Sequence, residues 1–167
     1  MAEVGRGIDV GTSGVRIAAS DRSGALVAMA SAPISAPLQS FGRLMQDPQL
    51  WWQAIEEAFR TLDLKGHQVM ALAIDGTSGT ILPTDGNGMP LGLASMYNDV
   101  AESSAVSKVK SVAPAETAAL GSSSPLARAL EMPEAAPRIL HQADWLMGRF
   151  LGSFGVSDEN NAFKAGY

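Results

Sequence analysis

The sequence contains no cysteine among its 167 residues and only two histidines. The lack of cysteine excludes disulfide frameworks, thiolate zinc sites and cysteine nucleophiles, and it is typical of proteins from a reducing compartment. We therefore expect the chain to be cytoplasmic. Because no Gly-x-x-x-x-Gly-Lys-Ser/Thr segment is present, a P-loop nucleotide site is excluded as well.

The chain also lacks an excess of positive charge and a long apolar run. It carries 12 basic and 17 acidic side chains, a formal net charge of −5, spread over both halves. A basic face for nucleic acid or for an anionic membrane surface is therefore not expected. No apolar run approaches the roughly 18–20 residues of a bilayer span. The N-terminus also shows no basic flank followed by an apolar stretch, so neither a membrane partner nor a secretion signal is expected.

What the chain does contain is a pattern of strands followed by helices. Residues 6–10, 14–20 and 26–33 are short apolar runs between glycine-rich turns, which predicts a three-stranded meander. Asp47-Pro48 is typical of a helix start, and the apolar side chains that follow repeat every 3.6 residues.

The second part of the pattern begins with an apolar run over residues 69–74, which predicts a strand covered on both faces in a parallel or mixed sheet. A hairpin is predicted over residues 80–88, with Asp85-Gly86-Asn87-Gly88 as its turn. Beyond Asp99 the pattern is helical, and the clearest helix is predicted over residues 139–151, ended by Gly152. These elements predict a layered α/β or α+β domain.

Two segments share one chemistry, an apolar strand that ends in an aspartate and a Gly-Thr-Ser-Gly turn. They are Asp9 with residues 11–14 and Asp75 with residues 76–79. Open backbone N–H groups, hydroxyls and a carboxylate can hold phosphate oxygens and Mg²⁺, and Arg16 could neutralise a phosphate. The second turn would suit a small polyol. A plain hairpin explains each turn equally well, and a strand arginine is more often a solvated surface residue.

Two further polar groups have simpler explanations. His141 and Asp144 lie three residues apart, a spacing that suits a metal, but no third ligand stands nearby. A structural hydrogen bond is therefore the favoured explanation for this pair. The run Ser122-Ser123-Ser124-Pro125 is typical of a helix N-cap and turn.

Taken together, these segments resemble the N-terminal domain of the FGGY carbohydrate kinases over nearly the whole chain. Residues 7–16 are similar to that family's first phosphate motif, which actin and Hsp70-type ATPases share in looser form. Gln46-Asp47-Pro48 followed by Trp51-Trp52 resembles the family's entry to its first helix, and Tyr97-Asn98-Asp99 occupies the place of its Trp-Asn-Asp element.

Other segments resemble the D-ribulokinase branch of that family. They are residues 73–80, 109–115, 139–146, 156–158, 160–162 and 166–167. At the place of residues 76–80, bacterial xylulokinases have a segment similar to Gly-Gln-Met-His-Gly. This sequence difference indicates that the chain binds a different sugar, or that it binds the sugar through different contacts.

The resemblance implies a ribonuclease H-like, actin-like ATPase fold of class α/β, with a mixed five-stranded-type sheet and flanking helices. It implies transfer of the ATP γ-phosphate to a hydroxyl of a ketopentose, D-ribulose first and D-xylulose next. Residues 1–167 correspond to an incomplete N-terminal domain. The general-base aspartate and the C-terminal ATP-binding domain are expected beyond Tyr167, so no catalytic residue is assigned, and we expect the chain to be inactive alone.

The resemblance also implies a role for individual residues. Asp9 would hold Mg²⁺, and the ATP phosphates would contact the remaining residues of the first motif, Gly11, Thr12, Ser13 and Arg16. The sugar would contact a second set, Asp75, Thr77, Ser78, Gly79, Tyr97 and Asp99. ATP, Mg²⁺ and a small sugar are thus the expected ligands. A second copy of the chain, forming a homodimer, is a further candidate partner. A non-catalytic sugar- or phosphate-binding module, or another protein of the actin-like ATPase fold, stays open as an alternative.

Overall fold

A computed structural model describes residues 2–166 of the chain. In chain order its elements are β1 (Ala2–Val10), β2 (Gly14–Asp21), β3 (Leu26–Pro33), β4 (Leu38–Ser40), β5 (Arg43–Gln46), α1 (Pro48–Thr61), β6 (His67–Gly76), β7 (Ile81–Thr84), β8 (Ala94–Ser95), α2 (Ser103–Val112), α3 (Pro125–Ala129), β9 (Arg138–His141), α4 (Gln142–Leu151) and α5 (Glu159–Lys164), with a 3₁₀ turn at Ala118–Leu120. The chain forms two compact units. The first unit comprises the residues up to Ala36 and Gln49–Gly76, and the second unit comprises Pro37–Pro48 and the residues from Thr77 onward.

The first unit is built on a mixed sheet of four described strands in the order β3-β2-β1-β6. The antiparallel meander β1-β2-β3 confirms the prediction for the start of the chain, and β6 runs parallel to β1. The register of β1 on β6 shifts once, since Val4 pairs with Val69 and Gly5 pairs with Ala71, which leaves Met70 as the extra residue of a β-bulge.

One face of this sheet forms the core of the first unit. Side chains alternate along β1, so that Val4 and Ile8 are buried on one face. The predicted helix α1 begins at Pro48 and buries the stripe that contains Trp51. The Arg6 guanidinium lies 5.2 Å from the ring centroid of Phe59 on α1, which places the helix against this face.

Strand β6 differs from its prediction. The mixed sheet is confirmed, but cover on both faces is wrong: β6 is an edge strand of the described sheet, and its exposure alternates along the strand. Ala71 and Ala73 occupy exposed positions. The apolar run misled because alanine exposes little apolar surface and therefore tolerates solvent.

The second unit contains a sheet of five short strands in the order β4-β5-β8-β7-β9, every pair of which is antiparallel. The predicted hairpin is present as β7, a turn at residues 85–88, and a bridge between Thr84 and Pro90. Beside the sheet, buried side chains of α2, α3, the 3₁₀ turn and the residues before α2 form a core cluster: Ala101, Ala105, Val109, Ala119 and Ala127. None of the helices in residues 2–166 is long and apolar enough to cross a bilayer.

The predicted helix over residues 139–151 is wrong at its start. Residues 139–141 belong to β9, where Leu140 pairs with Leu82 of β7, and α4 begins at Gln142. Adjacent apolar residues fit either period, and pairing with β7 decides in favour of a strand. The end of the helix is confirmed, since Gly152 adopts a φ of 70° at the C-cap.

Candidate functional site

In the first unit, the two predicted aspartates lie at the ends of neighbouring parallel strands. Asp9 and Asp75 are register partners across β1 and β6, and Arg16 of β2 is the register partner of Asp9 on the other side. All three side chains line one cavity of about 340 Å³. The other lining residues are apolar, among them the small residues Gly7, Ala18 and Ala73. The strand register alone therefore brings two acids and one base together.

Asp9 and Arg16 form an ion pair that the sequence motif does not indicate. Arg16 Nη2 donates to Asp9 Oδ2 at 2.6 Å, and the two side chains are 72% and 47% exposed. A solvated pair of this kind contributes only about 0–1 kcal/mol. Because the ion pair is weak, Arg16 could instead bind a phosphate, and Asp9 could bind a cation, at a low cost in free energy.

Asp75 is exposed at the end of β6, so its carboxylate carries no cost of burial. Its Oδ1 accepts the N–H of Gly76 at 2.9 Å, a bond within its own turn. The carboxylate also borders the cavity that contains Asp9. Asp75 thus both accepts a bond from its own turn and borders the cavity, and its role toward a sugar stays a prediction.

The turn over residues 11–14 joins β1 to β2 and borders a second, larger cavity of about 600 Å³. The Gly11 N–H donates to the Gly14 carbonyl at 3.0 Å, and the Ser13 carbonyl accepts from Ile34 at 2.9 Å. A Cβ at Gly14 would stand 3.0 Å from the Ala32 carbonyl oxygen, so a larger residue fits here only if the backbone of β3 shifts by a few tenths of an ångström. The turn is a hairpin, which was one of the two explanations of its sequence. Its hydroxyls at Thr12 and Ser13 nevertheless line open space.

In the second unit, Ser78, Gly79 and Tyr97 line a cavity of about 240 Å³. The other lining residues come from the segment between α2 and α3 and from α5: Ala118, Gly121, Ser123, Ser124, Pro125 and Lys164. This cavity therefore brings together three of the residues predicted to contact the sugar.

Side chains from distant segments hold the turn of residues 77–79, which is predicted to contact the sugar and which we call the sugar loop for that reason. The Thr77 N–H donates to Gln142 Oε1 at 2.7 Å, and Ser78 Oγ donates to Asn161 Oδ1 at 3.4 Å. The Gly79 carbonyl accepts from Arg128, whose guanidinium is fully buried and also donates to the Ser95 carbonyl and Oγ. Burial lowers the pKa of Arg128 to about 10. No sequence motif indicated these three supports, since each is at least 49 residues away from the residue it holds.

Asp99 has a different environment from Tyr97. Its side chain is fully buried, and its carboxylate accepts bonds from Arg43 Nε and Nη2, the Leu44 N–H and Ser95 Oγ. Burial alone would raise the pKa of Asp99, but these hydrogen bonds and the Arg43 charge outweigh it and hold the pKa below its usual value. Asp99 therefore fastens β5 to the segment that carries Tyr97. Direct contact between Asp99 and a sugar stays a prediction.

The pair His141 and Asp144 supports the structural explanation in part. Asp144 accepts hydrogen bonds from Ser157 Oγ at 2.7 Å and Asn161 Nδ2 at 3.5 Å, while burial raises its pKa. His141 lies on β9, and burial lowers its pKa. Within residues 2–166 no group of three or more His, Cys, Asp or Glu residues is placed to hold a metal ion.

A model of the FGGY family of carbohydrate kinases, N-terminal domain, matches residues 4–119. Among curated proteins, a xylulose kinase of Staphylococcus epidermidis is 30% identical over 107 residues, which are 62% of this chain and 22% of that protein. A xylulose kinase of Streptomyces rubiginosus is 33% identical over 95 residues, 56% of this chain and 19% of that protein. The chain spans about a fifth of the length of these relatives.

Solved structures show the same fold. The xylulose kinase of Rhodospirillum rubrum superposes with a TM-score of 0.85 at 19% identity, covering 98% of this chain and 38% of that chain. The glycerol kinase of Plasmodium falciparum with ADP gives 0.81 at 15% identity, with 98% and 37% covered. These similarities confirm the predicted α/β fold of the actin-like ATPase type. Since the family model matches more than half of the sequence, the chain belongs to the FGGY family of carbohydrate kinases.

Proposed function

We propose that this chain is the N-terminal part of an ATP-dependent kinase that transfers the γ-phosphate to a hydroxyl of a ketopentose. The observation that carries the proposal is the cavity of the first unit, where Asp9, Asp75 and Arg16 meet at the ends of parallel strands. Ligands of α/β proteins bind at the carboxyl ends of such strands. Family membership supplies the reaction class.

Phosphoryl transfer needs positioning and charge stabilisation more than covalent chemistry from the protein. In this proposal Arg16 leaves Asp9 and neutralises phosphate oxygens, which its 72% exposure allows. The turn over residues 11–14 presents the hydroxyls of Thr12 and Ser13 toward the same phosphates. No residue described here is assigned as the general base.

The residues of the first unit also fit Mg²⁺. In phosphoryl-transfer sites this ion takes one or two carboxylates from the protein and completes its shell with water and phosphate oxygens. Asp9 and Asp75, register partners that border one cavity, provide two carboxylates. Bound there with ATP, Mg²⁺ would offset the phosphate charge, and we assign Asp9 as its main protein ligand.

The second unit would bind the sugar through Ser78, Gly79 and Tyr97. D-Ribulose is the first choice, because residues 76–80 depart from the Gly-Gln-Met-His-Gly of bacterial xylulokinases. D-Xylulose is the second, because the curated relatives described above are xylulose kinases. A site that reads hydroxyls by hydrogen bonds rejects an analogue that lacks one of them more strongly than a site built on shape alone.

A coupled kinase assay on the full-length protein with a panel of pentuloses tests this function. Ser78→Ala should raise the KM for D-ribulose about tenfold, the usual scale of one lost hydrogen bond, and should leave the KM for ATP unchanged. The 167-residue chain alone should show no turnover. Ser153→Ala, an exposed serine after α4, is the matched control.

Two results would contradict the proposal. Equal effects of Ser78→Ala on both substrates would mean that the sugar loop acts only as a structural turn. Sugar binding without phosphorylation by the full-length protein would favour a non-catalytic binding module.

A further inference from the structure

The cavity of the second unit contains two polar residues to which the proposed function gives no role, Ser124 and Lys164. They come from separate elements, since Ser124 precedes α3 and Lys164 ends α5. Both border the cavity beside Ser78 and Gly79 of the sugar loop.

The Ser124 hydroxyl is buried without a partner. The residue is 4% exposed, and Oγ forms no hydrogen bond with any residue of the described range 2–166. Although Ser124 stands at the N-cap of α3, its side chain makes no capping bond. A buried hydroxyl that lacks a partner destabilises the protein, so each such group requires an explanation. A ligand oxygen in the cavity would give this hydroxyl its partner.

Lys164 brings a cationic donor to the same cavity. Its Nζ donates to the Ser78 carbonyl at 3.3 Å, and an ammonium group has three N–H donors. Nζ also lies 3.9 Å from the position of a Cβ on Gly79, which has a φ of +90° and is therefore best occupied by glycine. Lys164 thus lies beside the sugar loop, and its ammonium group has further N–H donors for a ligand.

The chemistry of the cavity favours a small, oxygen-rich ligand. Its described lining residues include no Asp or Glu, while Lys164 borders it and the buried Arg128 guanidinium lies behind Gly79. At about 240 Å³ the cavity is smaller than the roughly 300–1,000 Å³ of pockets for drug-sized ligands. A sugar hydroxyl can donate to and accept from Ser124 and can accept from Lys164.

We propose that Ser124 and Lys164 determine sugar specificity by binding oxygen atoms of the ketopentose in this cavity, together with the sugar loop. The inference rests on the proposed function, since it takes the sugar of that reaction as its ligand. It adds two residues that no sequence motif indicated. It also commits the cavity to a neutral polyol rather than to inorganic phosphate.

The test uses the full-length protein with Ser124→Ala and Lys164→Met. Each variant should raise the KM and the calorimetric Kd for D-ribulose about tenfold while leaving the KM for ATP unchanged. Without sugar, Ser124→Ala should keep or raise the melting temperature, because it removes an unpartnered hydroxyl; a structural serine would lower it. Ser122→Ala and Lys110→Met, exposed residues outside the cavity, are the matched controls and should change neither constant.

Deoxy analogues of the pentulose provide a second measurement. For one analogue, removal of a hydroxyl should weaken binding to the wild type but cause no further loss in Ser124→Ala, as expected when both changes delete the same contact. Additive losses for every analogue would overturn the role of Ser124. If Ser124→Ala fails to fold, Lys164→Met decides the same question.

The outcomes also separate this inference from the proposed function. Turnover of D-ribulose with sugar constants unchanged in both variants would overturn the inference and leave the kinase intact. Weaker binding of inorganic phosphate, with sugar binding unchanged, would overturn it as well. If no sugar is phosphorylated, the proposed function fails; reduced sugar binding by both variants would still support the inference, and no sugar binding at all would overturn both.

Discussion

Arg128 shows how a single buried residue can hold a binding loop. Its fully buried guanidinium donates to oxygens of Gly79, Ser95 and Ser123, which lie on three different segments of the second unit. A charge with no carboxylate in direct contact is costly to bury, which is why burial lowers the pKa of Arg128 to about 10. The buried guanidinium holds the Gly79 carbonyl and thereby the sugar loop.

Replacing Arg128 should therefore damage stability more than its charge alone suggests. We expect Arg128→Met to lower the free energy of unfolding by about 1–3 kcal/mol, because the carbonyls of Gly79 and Ser95 lose their buried donor. Urea unfolding followed by tryptophan fluorescence measures the change. Arg22→Met, on a residue whose side chain is 84% exposed, should change little. If the two variants were equally stable, the hydrogen bonds of Arg128 would not stabilise the fold.

Asp99 predicts how stability depends on pH. Its pKa is lowered in the folded chain, so its contribution is present above the unfolded value of 3.8 and is lost as the pH falls through the folded value. At pH 7, Asp99→Asn should lower stability by about 1–3 kcal/mol, since Arg43 keeps Glu131 but loses the nearer of its two charged partners. Below pH ~4 the curves of variant and wild type should converge. A constant difference down to pH 2 would contradict this linkage.

At the scale of elements, the sequence predicted those with a clear local signal. Apolar runs between glycine-rich turns marked the three strands of the meander, and a 3.6-residue repeat marked α1. The sheet of the second unit was not predicted, because its strands contain only two to four residues, too few for any period. The start of α4 and the cover of β6 were misread for a related reason: both depend on which strands pair, and local patterns do not contain that information.

The end of α4 permits a clean test of a helix cap. Gly152 has a φ of 70°, and a Cβ there would meet nothing within 4 Å. Gly152→Ala should therefore cost about 1 kcal/mol from backbone strain alone. Gly86, which has equally open surroundings and a φ outside the positive range, is the control, and Gly86→Ala should be neutral or slightly stabilising. Equal costs at both positions would contradict the capping role.

At the scale of the whole molecule, the candidate site was predictable where motifs mark it. Asp9, Arg16 and Asp75 share a cavity because strand ends carry them, and the repeated Gly-Thr-Ser-Gly turns indicated those ends. Ser124 and Lys164 carry no such mark. They reach the cavity through the packing of α3 and α5, which residues 122–125 and 159–164 do not reveal on their own.

The exposed apolar side chains of the first unit bear on the expected homodimer. Leu26, Met29 and Met70 are 62%, 66% and 56% exposed, and exposed apolar patches often mark contacts between proteins. Sedimentation velocity should therefore show concentration-dependent dimers of the 167-residue chain. Met29→Lys should weaken them, whereas Val112→Lys, on α2 of the second unit, should not. A monomer at every concentration would contradict this expectation.

The bulge at Met70 determines which side of the sheet Asp75 faces. Before the bulge, each residue of β1 pairs with the residue 65 positions later; after it, the spacing is 66. At the earlier spacing, Asp9 would stand beside Ile74, and Asp75 would stand beside Val10, which is fully buried. Since side chains alternate along a strand, the carboxylate of Asp75 would then enter the core, and Ile74 would take its place at the cavity. The bulge, five positions upstream, thus decides that the two acids share a face. Regular pairing of Met70 would separate them, whereas deletion of Met70 would remove the bulge and keep Asp9 beside Asp75, so the site depends on how a residue outside both motifs pairs.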